Sequence, residues 1–571
     1  MRWFRLLVLA LGWMACAHQP TPNLVLPAAG AVATANHHAT KAALQVLREG
    51  GNAIDAAITA VLVLGVTEPY SAGLGGGGFA LVHHQGSGTT RAIDFRERAP
   101  LRASRDMYLD PQGNPTADSV TGWLAAGVPG TAAGLSHLHG LHSTMTWERL
   151  VAPAQQLAKN GFQVTPLLEA RIQRRLADLL VDPEMQRLFA PGGKPLKAGQ
   201  TLIQTDLAKT LERMAKNGRR EWIDGATTRR IVEAMKANEG LIQTSDFAAY
   251  QVKERTPIEG SFQGHRILSF PPPSSGGIHL VQMLRMLEAS GLPGTDSIDF
   301  RHRWIETMRR AYQDRARHLG DPDFYPVPQE GLLSPSHLKA LRQSIKRETA
   351  TPSQDLNNPQ PQGAPSELKG GSEGNPHHET SHLSVLDRQG NAVSLTFTIN
   401  TTFGAAVMVP GTGVILNNEM DDFSAKPGVP NAYGLVGGEA NAIAPGKTPL
   451  SSMTPTLVFG PDNRLRLVIG SPGGSTIITT VLQTILQTLH LGRTLAESLA
   501  LPRFHHQWLP DCVLLDRQGL NEDMSDALKE LGHCLKVRED FGNAQGIMID
   551  DKGRVTAASD PRGEGTAEVV P

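Results

Sequence analysis

One junction constrains this chain more than any other, because a long polar segment ends where a core hairpin begins. Residues 351–379, TPSQDLNNPQPQGAPSELKGGSEGNPHHE, are rich in Pro, Gly, Ser, Asn and Gln, which is typical of a flexible linker. From Thr380 the pattern alternates through HLSVLD, a turn at 388–391 and AVSLTFTIN, and this predicts a β-hairpin. A core strand is therefore expected directly after a segment that cannot form a core of its own.

Helical and extended patterns alternate over the rest of the chain. Further strands are expected at VMVPGTGVILN, TPTLVFG and RLRLVIG, and a helix from near Ser475. Together these predict a layered body of helices on substantial antiparallel sheet. Before the linker, the sequence predicts helices over 38–66 (broken at Gly50-Gly51), 146–159, 227–237 and 297–318, and a strand over 265–270.

Composition excludes several classes of protein. The 571 residues carry 54 Lys+Arg against 55 Asp+Glu, and this balance argues against a nucleic-acid partner. Three Cys exclude a disulfide scaffold and a multi-Cys zinc module, and 40% hydrophobic residues exclude a wholly disordered chain. The histidine pairs lack metal-ligand spacing, so neither a metal nor another cofactor is expected.

The first 17 residues have the pattern of a secretory signal peptide. A charged start and an apolar run precede the small-residue site Ala15-Cys16-Ala17, which predicts cleavage after Ala17 and export to the periplasm. The alternatives are an uncleaved anchor and a lipid at Cys16, although Trp13 stands where a lipoprotein site prefers Leu. No later stretch is long and apolar enough to span a membrane, and the run 53–66 is expected to be a buried helix.

Export would place Cys512 and Cys534 in an oxidising compartment. Each begins a strand-like run, CVLLD and CLKV, with a helical stretch between them. Neighbouring strands would bring the two side chains together. The sequence leaves open whether they form a disulfide or are two separately buried thiols.

Thr380 is a candidate nucleophile because of its position at the junction. If the Glu379–Thr380 bond were cut, Thr380 would carry a free α-amine with a pKa near ~7.7–8.0, which can act as base for its own hydroxyl. Thr398 lies on the paired strand of the predicted hairpin and could orient that hydroxyl. The alternative is that Thr380 is only a β-branched strand residue after a loop.

Glycine-rich segments offer two further interpretations. GLGGGG at 73–78 formally fits a dinucleotide motif, but a helix precedes it and a strand follows, so a tight backbone approach is expected instead. GSPGGS at 470–475 leads from a strand into a helix, and the backbone N–H groups of Gly473 and Gly474 suit an oxyanion hole. An ordinary strand-to-helix turn would have the same pattern.

Charged and hydroxyl side chains suggest a site for an amino-acid head group. NNEMDDF at 417–423 supplies carboxylates that can hold an ammonium group, while Arg96 and the hydroxyls of Ser451 and Ser452 can hold a carboxylate. Caps, turns and surface ion pairs are the alternatives for each residue.

Several long motifs, in this order, resemble the γ-glutamyltransferase (glutathione hydrolase) family. The resemblance covers nearly all of residues 30–571. The motifs that carry it are GGNAIDAA, GLGGGGF, DFRERAP, PPPSSGGIH, LGDPDF, TSHLSVLDRQGNAVSLTFTINTTFG, NNEMDDFSAKPGVPNAYGLVGG, PLSSMTPT, GSPGGS and PRFHHQWLP.

The resemblance implies an α+β fold, the four-layer αββα sandwich of N-terminal-nucleophile hydrolases. It implies self-cleavage between Glu379 and Thr380 into a large subunit, 18–379, and a small catalytic subunit, 380–571, which remain together as a heterodimer. It further implies cleavage of the γ-glutamyl amide of glutathione and related small molecules through a γ-glutamyl-Thr380 ester, followed by transfer to water or to an amino-acid or peptide acceptor.

Residue roles also follow from the resemblance. Thr380 is the nucleophile, Thr398 its partner, and Gly473 and Gly474 the oxyanion-hole donors. The remaining roles are the α-carboxylate holders Arg96, Ser451 and Ser452, the α-amino holders Asn400, Glu419 and Asp422, and the lid residue Tyr433, which is expected to hydrogen-bond Asn400. The pair Cys512 and Cys534 is not part of the family pattern.

Two other functions stay open at this point. One is a relative specialised for another amide, such as poly-γ-glutamate or a β-lactam side chain, although the lid segment 425–438 argues against a bulky polymer. The other is a catalytically inactive secreted binding protein that keeps the amino-acid pocket but neither cleaves itself nor turns over substrate.

Overall fold

The computed structural model describes residues 30–292, 297–364, 379–538 and 541–570. The signal peptide and the lipidation alternative at Cys16 fall outside the described residues. The α-helices are α1 His37–Arg48, α2 Ala53–Thr67, α3 Thr131–His142, α4 Trp147–Asn160, α5 Pro166–Arg174, α6 Leu176–Leu179, α7 Pro183–Phe189, α8 Thr205–Asn217, α9 Ala226–Ala237, α10 Thr244–Ala249, α11 Gly276–Ala289, α12 Ile298–His318, α13 Gln329–Leu333, α14 Pro335–Gln343, α15 Ile477–Ile485, α16 Leu495–Ala500 and α17 Glu522–Glu530.

The strands alternate with these helices along the chain. They are β1 Gly30–Thr34, β2 Gly77–His84, β3 Thr89–Asp94, β4 Phe162–Gln163, β5 Thr201–Leu202, β6 Lys253–Arg255, β7 Ile258–Phe262, β8 His265–Ser269, β9 Ser381–Leu386, β10 Ala392–Thr398, β11 Met408–Val409, β12 Val414–Ile415, β13 Thr456–Phe459, β14 Leu465–Gly470, β15 Phe504–His505, β16 Val513–Leu515, β17 Leu535–Val537, β18 Gln545–Ile549, β19 Val555–Ser559 and β20 Thr566–Val570.

The predicted hairpin is confirmed as β9 and β10, and it lies in the middle of the first large sheet. Within the described residues this sheet has seven strands in the order β20-β1-β9-β10-β2-β3-β6. β9 and β10 pair antiparallel with Ser381 opposite Phe397, and every residue of both strands is buried. The sheet thus interleaves strands from before and after the Glu379–Thr380 junction.

A second sheet packs face to face on the first. In the described chain it has the order β19-β18-β14-β13-β8-β7, and an apolar cluster that includes Phe79, Leu81, Leu457 and Val468 fills the space between the sheets. Helices α1, α2 and α3 pack on the outer face of the first sheet, with α4 against α2 and α8 against α4, while α11 and α15 pack on the second sheet and α12 packs against α11. The result is the four-layer αββα sandwich that the resemblance implies.

Helix α2 shows how one element of this sandwich is specified. Asn52 caps it and the Asp55 carboxylate accepts a hydrogen bond from the Asn52 backbone N–H, which forms a capping box. The side chain of Asp55 also accepts hydrogen bonds from Ser143 and Thr144, so a carboxylate is satisfied inside an otherwise apolar buried helix. The described part of the chain contains no helix long and apolar enough to cross a membrane.

The first half of the predicted linker is packed against the folded protein and is not a flexible segment. Residues 351–364 lie against the protein: Ser353 is fully buried and donates a hydrogen bond to the carbonyl of Trp508, and Asn358 is buried against α12. Polar composition predicted flexibility here, but these polar groups find partners on the folded body. The remainder, 365–378, lies outside the described residues.

The two C-terminal cysteines are joined. Cys512 and Cys534 form a disulfide at the start of strands β16 and β17, which pair in parallel on either side of α17 in the chain. This is the neighbouring-strand arrangement that their sequence context suggested.

Candidate active site

The glycine run at 73–78 allows the backbone to approach the hairpin closely. A Cβ on Gly76 would lie 1.9 Å from the carbonyl oxygen of Thr398, and one on Gly75 would lie 1.9 Å from that of Ile415. Gly77 pairs with Thr398 across β2 and β10. The predicted tight approach is confirmed, and it places Thr398 at the end of its strand beside Thr380.

Three oxygen atoms meet at the Glu379–Thr380 bond. The Oγ1 of Thr380 lies 2.5 Å from the carbonyl oxygen of Glu379 and 3.2 Å from the Oγ1 of Thr398. The Thr398 hydroxyl donates to the same carbonyl at 3.1 Å and accepts from the backbone N–H of Asn400 at 2.8 Å. A hydroxyl nucleophile, a polarised carbonyl and a second hydroxyl are therefore in contact, as the hairpin prediction anticipated.

The side chain of Glu379 is held by residues that the sequence did not single out. Its carboxylate accepts hydrogen bonds from Ser71 at 3.2 Å and Thr402 at 3.3 Å and forms an ion pair with Arg171 at 2.5 Å. Burial raises the pKa of Glu379, against the lowering by Arg171. These contacts anchor the residue that carries the carbonyl next to Thr380.

His382, two residues after Thr380, is not a base for it. The imidazole is buried between the sheets, with Nδ1 2.8 Å from Thr396 Oγ1 and Nε2 3.2 Å from Ser384 Oγ. Burial lowers the pKa of His382 to about 3, so the ring is neutral. Base chemistry at Thr380 must come from another group, and the α-amine released by cleavage is such a group.

The glycine pair lies where the sequence suggested, at the entrance to a helix. Gly473 and Gly474 have φ of 132° and 55°, values that favour glycine, and a short 3-10 turn then leads into α15. Gly474 lines the same cavity as Thr380. Backbone N–H groups at such a start carry partial positive charge, which suits a developing oxyanion.

A cavity extends from Thr380 to a buried charged cluster. At its far end Arg96 forms ion pairs with Glu419 at 2.6 Å and with Asp422, and its Nε donates to the carbonyl of Pro449. The sequence assigned Arg96 to a substrate carboxylate and the two acids to a substrate ammonium. Here these opposite charges pair with one another.

Burial sets the ionisation of this cluster. It raises the pKa values of Glu419 and Asp422, although Arg96 opposes the shift for both. Burial also raises the pKa of the adjacent Glu97 to about 7. Burial acts to lower the pKa of Arg96, but the carboxylates of Glu419 and Asp422 more than offset this and raise it. Arg96 is therefore the permanent cation of the cluster.

The hydroxyls of Ser451 and Ser452 also line the cavity. Ser451 Oγ accepts from the backbone N–H of Met453 at 3.0 Å, whereas Ser452 Oγ is buried without a hydrogen-bond partner among the described residues. The loop at 271–277 supports this segment, because the Ser451 N–H donates to the carbonyl of Pro273 at 2.8 Å. A buried hydroxyl without a partner is ready to bind a ligand oxygen.

Tyr433 lines the cavity from the segment 425–438, which the resemblance implies to be a lid, and its predicted hydrogen bond to Asn400 is confirmed. The hydroxyl donates to the carbonyl of Asn400 at 2.8 Å and also contacts Oδ1 of the same residue. Asp421 fixes the lid below Tyr433 by accepting from the Ala432 N–H at 2.8 Å and from Ser119 at 3.0 Å. The segment 425–438 thus forms part of the wall of the cavity.

The sequence reasoning missed two polar members of the lining, Arg315 of α12 and Ser475, which follows Gly474 in the chain. The other predicted residues of the lining are brought together: Thr380, Thr398, Asn400, Glu419, Asp422, Tyr433, Ser451, Ser452, Gly474 and Arg96. Gly473 is not part of this lining, but it directly precedes Gly474 in the chain.

The four-layer fold and a threonine at the start of a central strand define the class of N-terminal-nucleophile hydrolases. The family model described as gamma-glutamyltranspeptidase matches residues 39–570. The chain belongs to the gamma-glutamyltranspeptidase family.

Known relatives agree with this assignment. The chain is 45% identical over 539 residues to the glutathione hydrolase proenzyme of Escherichia coli (strain K12), covering 93% of this chain and 90% of that protein. Among solved structures it resembles a cephalosporin acylase from Bacillus halodurans, with TM-score 0.81, 26% identity and coverage of 98% and 99% of the two chains. The gamma-glutamyltranspeptidase of Helicobacter pylori matches with TM-score 0.55 and 38% identity, over 56% of this chain and 93% of that one.

Proposed function

We propose that the chain is the precursor of a γ-glutamyltransferase and glutathione hydrolase that cleaves itself before Thr380. The observation that carries the proposal is the contact of the Thr380 hydroxyl with the Glu379 carbonyl at one end of a cavity whose other end holds Arg96 and Asp422. A reactive hydroxyl and an amino-acid head-group site share one cavity.

Self-cleavage uses groups already in contact. The Thr380 oxygen attacks the Glu379 carbonyl carbon, Thr398 donates to the carbonyl oxygen, and the C–N bond breaks as the nitrogen takes up a proton. The product is an ester between Glu379 and the Thr380 oxygen. Water then hydrolyses the ester, which leaves a carboxylate on Glu379 and a free α-amine on Thr380.

Turnover repeats this chemistry on a substrate. The α-amine accepts the proton of the Thr380 hydroxyl, whose oxygen attacks the γ-carbonyl carbon of glutathione or a related amide. The N–H groups at Gly473 and Gly474 stabilise the oxyanion. The amine leaves with a proton, and the γ-glutamyl ester on Thr380 passes its acyl group to water or to an acceptor amine.

The charged end of the cavity supports a substrate with a zwitterionic head group. Arg96 with Ser451 and Ser452 offers donors to an α-carboxylate, while Glu419 and Asp422 offer acceptors to an α-ammonium. In the structure these opposite charges neutralise each other. A glutamyl head group would replace that pairing with its own two charges.

The experiment is to determine the intact masses of the purified chain and its Thr380→Ala variant. The wild type should yield fragments of about 21 kDa and about 39 kDa, by their share of the 61.4 kDa chain, and the smaller should begin at Thr380. Thr380→Ala should remain one chain and release no glutamate from glutathione.

Thr380→Ser is the matched control, because it keeps the hydroxyl and should still cleave. A wild-type chain that stays intact and inactive would contradict the proposal and favour a binding protein. A cleaved wild type that leaves glutathione untouched would retain self-processing but exclude this substrate.

A glutaryl amide tests whether the enzyme needs the α-ammonium group of a γ-glutamyl substrate. A glutaryl side chain lacks the α-ammonium that Glu419 and Asp422 would bind, so these buried carboxylates would be left without a cation from the substrate. We expect γ-glutamyl-p-nitroanilide to be cleaved at least about 100-fold more efficiently than glutaryl-p-nitroanilide, since hydrogen bonds to charged groups contribute ~1.5–3 kcal/mol each. Equal rates would favour an acylase of broader specificity.

The proposal includes export to the periplasm, supported by the signal-like pattern of residues 1–17 and by the Cys512–Cys534 disulfide, which suits an oxidising compartment. Sequencing the N-terminus of the larger fragment from a periplasmic extract tests this. We expect it to begin at His18. Recovery of the fragment only in the membrane fraction would instead support an anchor.

A further inference from the structure

Helix α12 contributes one buried cation, Arg315, to the lining of the cavity. Arg315 is 5% exposed and lines the same cavity as Thr380 and Arg96. Burial lowers the pKa of Arg315 to about 10, so the side chain stays positively charged at neutral pH. No step of the proposed mechanism has used this charge so far.

The charge of Arg315 is not neutralised as that of Arg96 is. Among the described residues, no carboxylate oxygen lies within 4.0 Å of its nitrogens, and its only hydrogen bond runs from Nε to Ser275. Arg96, in contrast, pairs with both Glu419 and Asp422. A buried cation without a direct ion pair is costly unless a ligand supplies the negative charge, because the longer-range attraction of Asp422 offsets only part of the cost of burial.

A short relay links Arg315 to the carboxylate-binding serines. Its Nε donates to Ser275 Oγ at 3.1 Å, and the Ser275 hydroxyl and backbone N–H both donate to the carbonyl of Ser451 at 2.8 Å. Ser275 belongs to the 271–279 motif, to which the mechanism assigns no chemistry. The relay therefore orients Arg315 toward the end of the cavity where Ser451 and Ser452 lie.

We propose that Arg315 is a specificity-determining residue, a second cation for the α-carboxylate of the substrate that Ser275 holds in place beside Ser451. The proposal rests on the proposed function and deepens it. Arg96 would be shared between the substrate carboxylate and the acidic pair, while Arg315 would supply a positive charge that no protein carboxylate contacts directly and that Asp422 stabilises only at longer range. An α-carboxylate would thus enter a site with one cation that has no direct ion pair.

Binding of L-glutamate, the reaction product, tests the proposal without turnover. Calorimetry compares L-glutamate with its α-amide, which keeps the ammonium but replaces the carboxylate by a neutral group. Arg315→Met should weaken L-glutamate about 10- to 100-fold, as expected for a lost hydrogen bond to a charged group, and leave the α-amide unchanged. Arg315→Lys should fall between Arg315→Met and the wild type.

Two further variants control for position and for the relay. Arg317→Met removes a cation from the same helix whose Nη1 donates to Asn357 at 3.1 Å, and it should not change L-glutamate affinity. Ser275→Ala removes the hydroxyl but keeps the Arg315 charge, so it should weaken L-glutamate by less than about tenfold. The intact mass of each variant shows whether it folds and cleaves itself.

The outcomes separate this proposal from the proposed function. Unchanged L-glutamate affinity in Arg315→Met, or equal weakening of L-glutamate and its α-amide, would overturn the role of Arg315. Loss of self-cleavage in both Arg315→Met and Arg315→Lys would assign the residue to folding and overturn it as well. A wild type that binds L-glutamate but turns over no γ-glutamyl amide would contradict the proposed function alone.

Discussion

The two ends of the Thr380 cavity are built from different chemistry. At the reactive end the hydroxyls of Thr380 and Thr398 contact the Glu379 carbonyl, and Gly474 lines the same cavity. The head-group end consists of charged side chains, led by Arg96 and Asp422. One cavity therefore joins a cluster of hydroxyls to a cluster of ion pairs.

This difference assigns bond cleavage to the reactive end and substrate recognition to the head-group end. In the proposed mechanism the reactive end is complete when the chain folds, because the nucleophile Thr380 and the carbonyl that it attacks first belong to adjacent residues. The head-group end matters only when a substrate arrives. Changes at the head-group end should therefore alter substrate use and spare self-cleavage, while changes at the reactive end should alter both.

Asp422→Asn should have the largest effect among four substitutions that test this separation. It removes one carboxylate of the buried pair with Arg96 and should lower kcat/KM for γ-glutamyl-p-nitroanilide about 100- to 1000-fold, since breaking a buried charge pair costs ~2–5 kcal/mol. The variant should still appear as two fragments by intact mass. An unprocessed variant would mean that the two ends are not independent.

Thr398→Ala should instead slow self-cleavage at the reactive end. It removes the hydroxyl that donates to the Glu379 carbonyl, and loss of one such donor typically slows a reaction about 100-fold. The measurement is the time course of fragment formation from freshly purified precursor. Thr398→Ser is the matched control and should cleave at nearly the normal rate. Normal cleavage by Thr398→Ala would exclude this hydroxyl from the reaction.

Tyr433→Phe should have a smaller effect, confined to the head-group end. It removes the hydrogen bond to Asn400 but keeps the ring that covers the cavity. Because a neutral hydrogen bond contributes ~0.5–1.5 kcal/mol net, KM should rise about 2- to 10-fold with kcat little changed. Steady-state kinetics on the processed enzyme measures this. A large fall in kcat would instead place the Tyr433 hydroxyl near the reacting atoms.

Asp421→Asn should have the smallest effect on turnover of the four, and its main effect should be on pH-dependent stability. Burial raises the pKa of Asp421 to about 7, whereas an unfolded Asp titrates near ~3.9. The folded state thus keeps a proton that the unfolded state has lost, so this group's contribution to stability is greatest below about pH 4 and declines as pH rises to about 7.

The comparison uses thermal unfolding at pH 5 and pH 8, in a Thr380→Ala background that keeps one chain. The parent should lose more of its midpoint temperature between these pH values than Asp421→Asn, by a few degrees, equivalent to roughly 1–2 kcal/mol. Identical losses would mean that Asp421 is already ionised at pH 5 in the folded state.

The sequence was most informative at the reactive end. The alternating pattern and the turn at 388–391 predicted the hairpin, and the hairpin in turn brought Thr398 next to Thr380. This works because strand residues repeat every two positions and short turns set the pairing register. Local patterns were enough where the interacting groups lie on adjacent strands.

Pattern reasoning could not select Arg315, because the contacts that distinguish it are tertiary. Helix α12 contains six arginines and is largely buried, so its periodicity does not show which of them faces the cavity. The partners of Glu379 were missed for the same reason, since Ser71, Arg171 and Thr402 come from three distant segments. Residues 351–364 were predicted from composition alone, which does not register the partners that bury Ser353.

The order of strands in the seven-stranded sheet determines whether the two fragments can separate after cleavage. β9 and β10, from one side of the Glu379–Thr380 bond, lie between β1 and β2, from the other side. After cleavage, a small fragment could leave only by tearing hydrogen bonds along both of its edges. Two molecules in the same solution would not exchange fragments, so a mutant small fragment would remain with the large fragment that was synthesised with it. Each molecule would therefore keep its original pair of fragments. A mixture of active and inactive molecules would keep the same proportion of each.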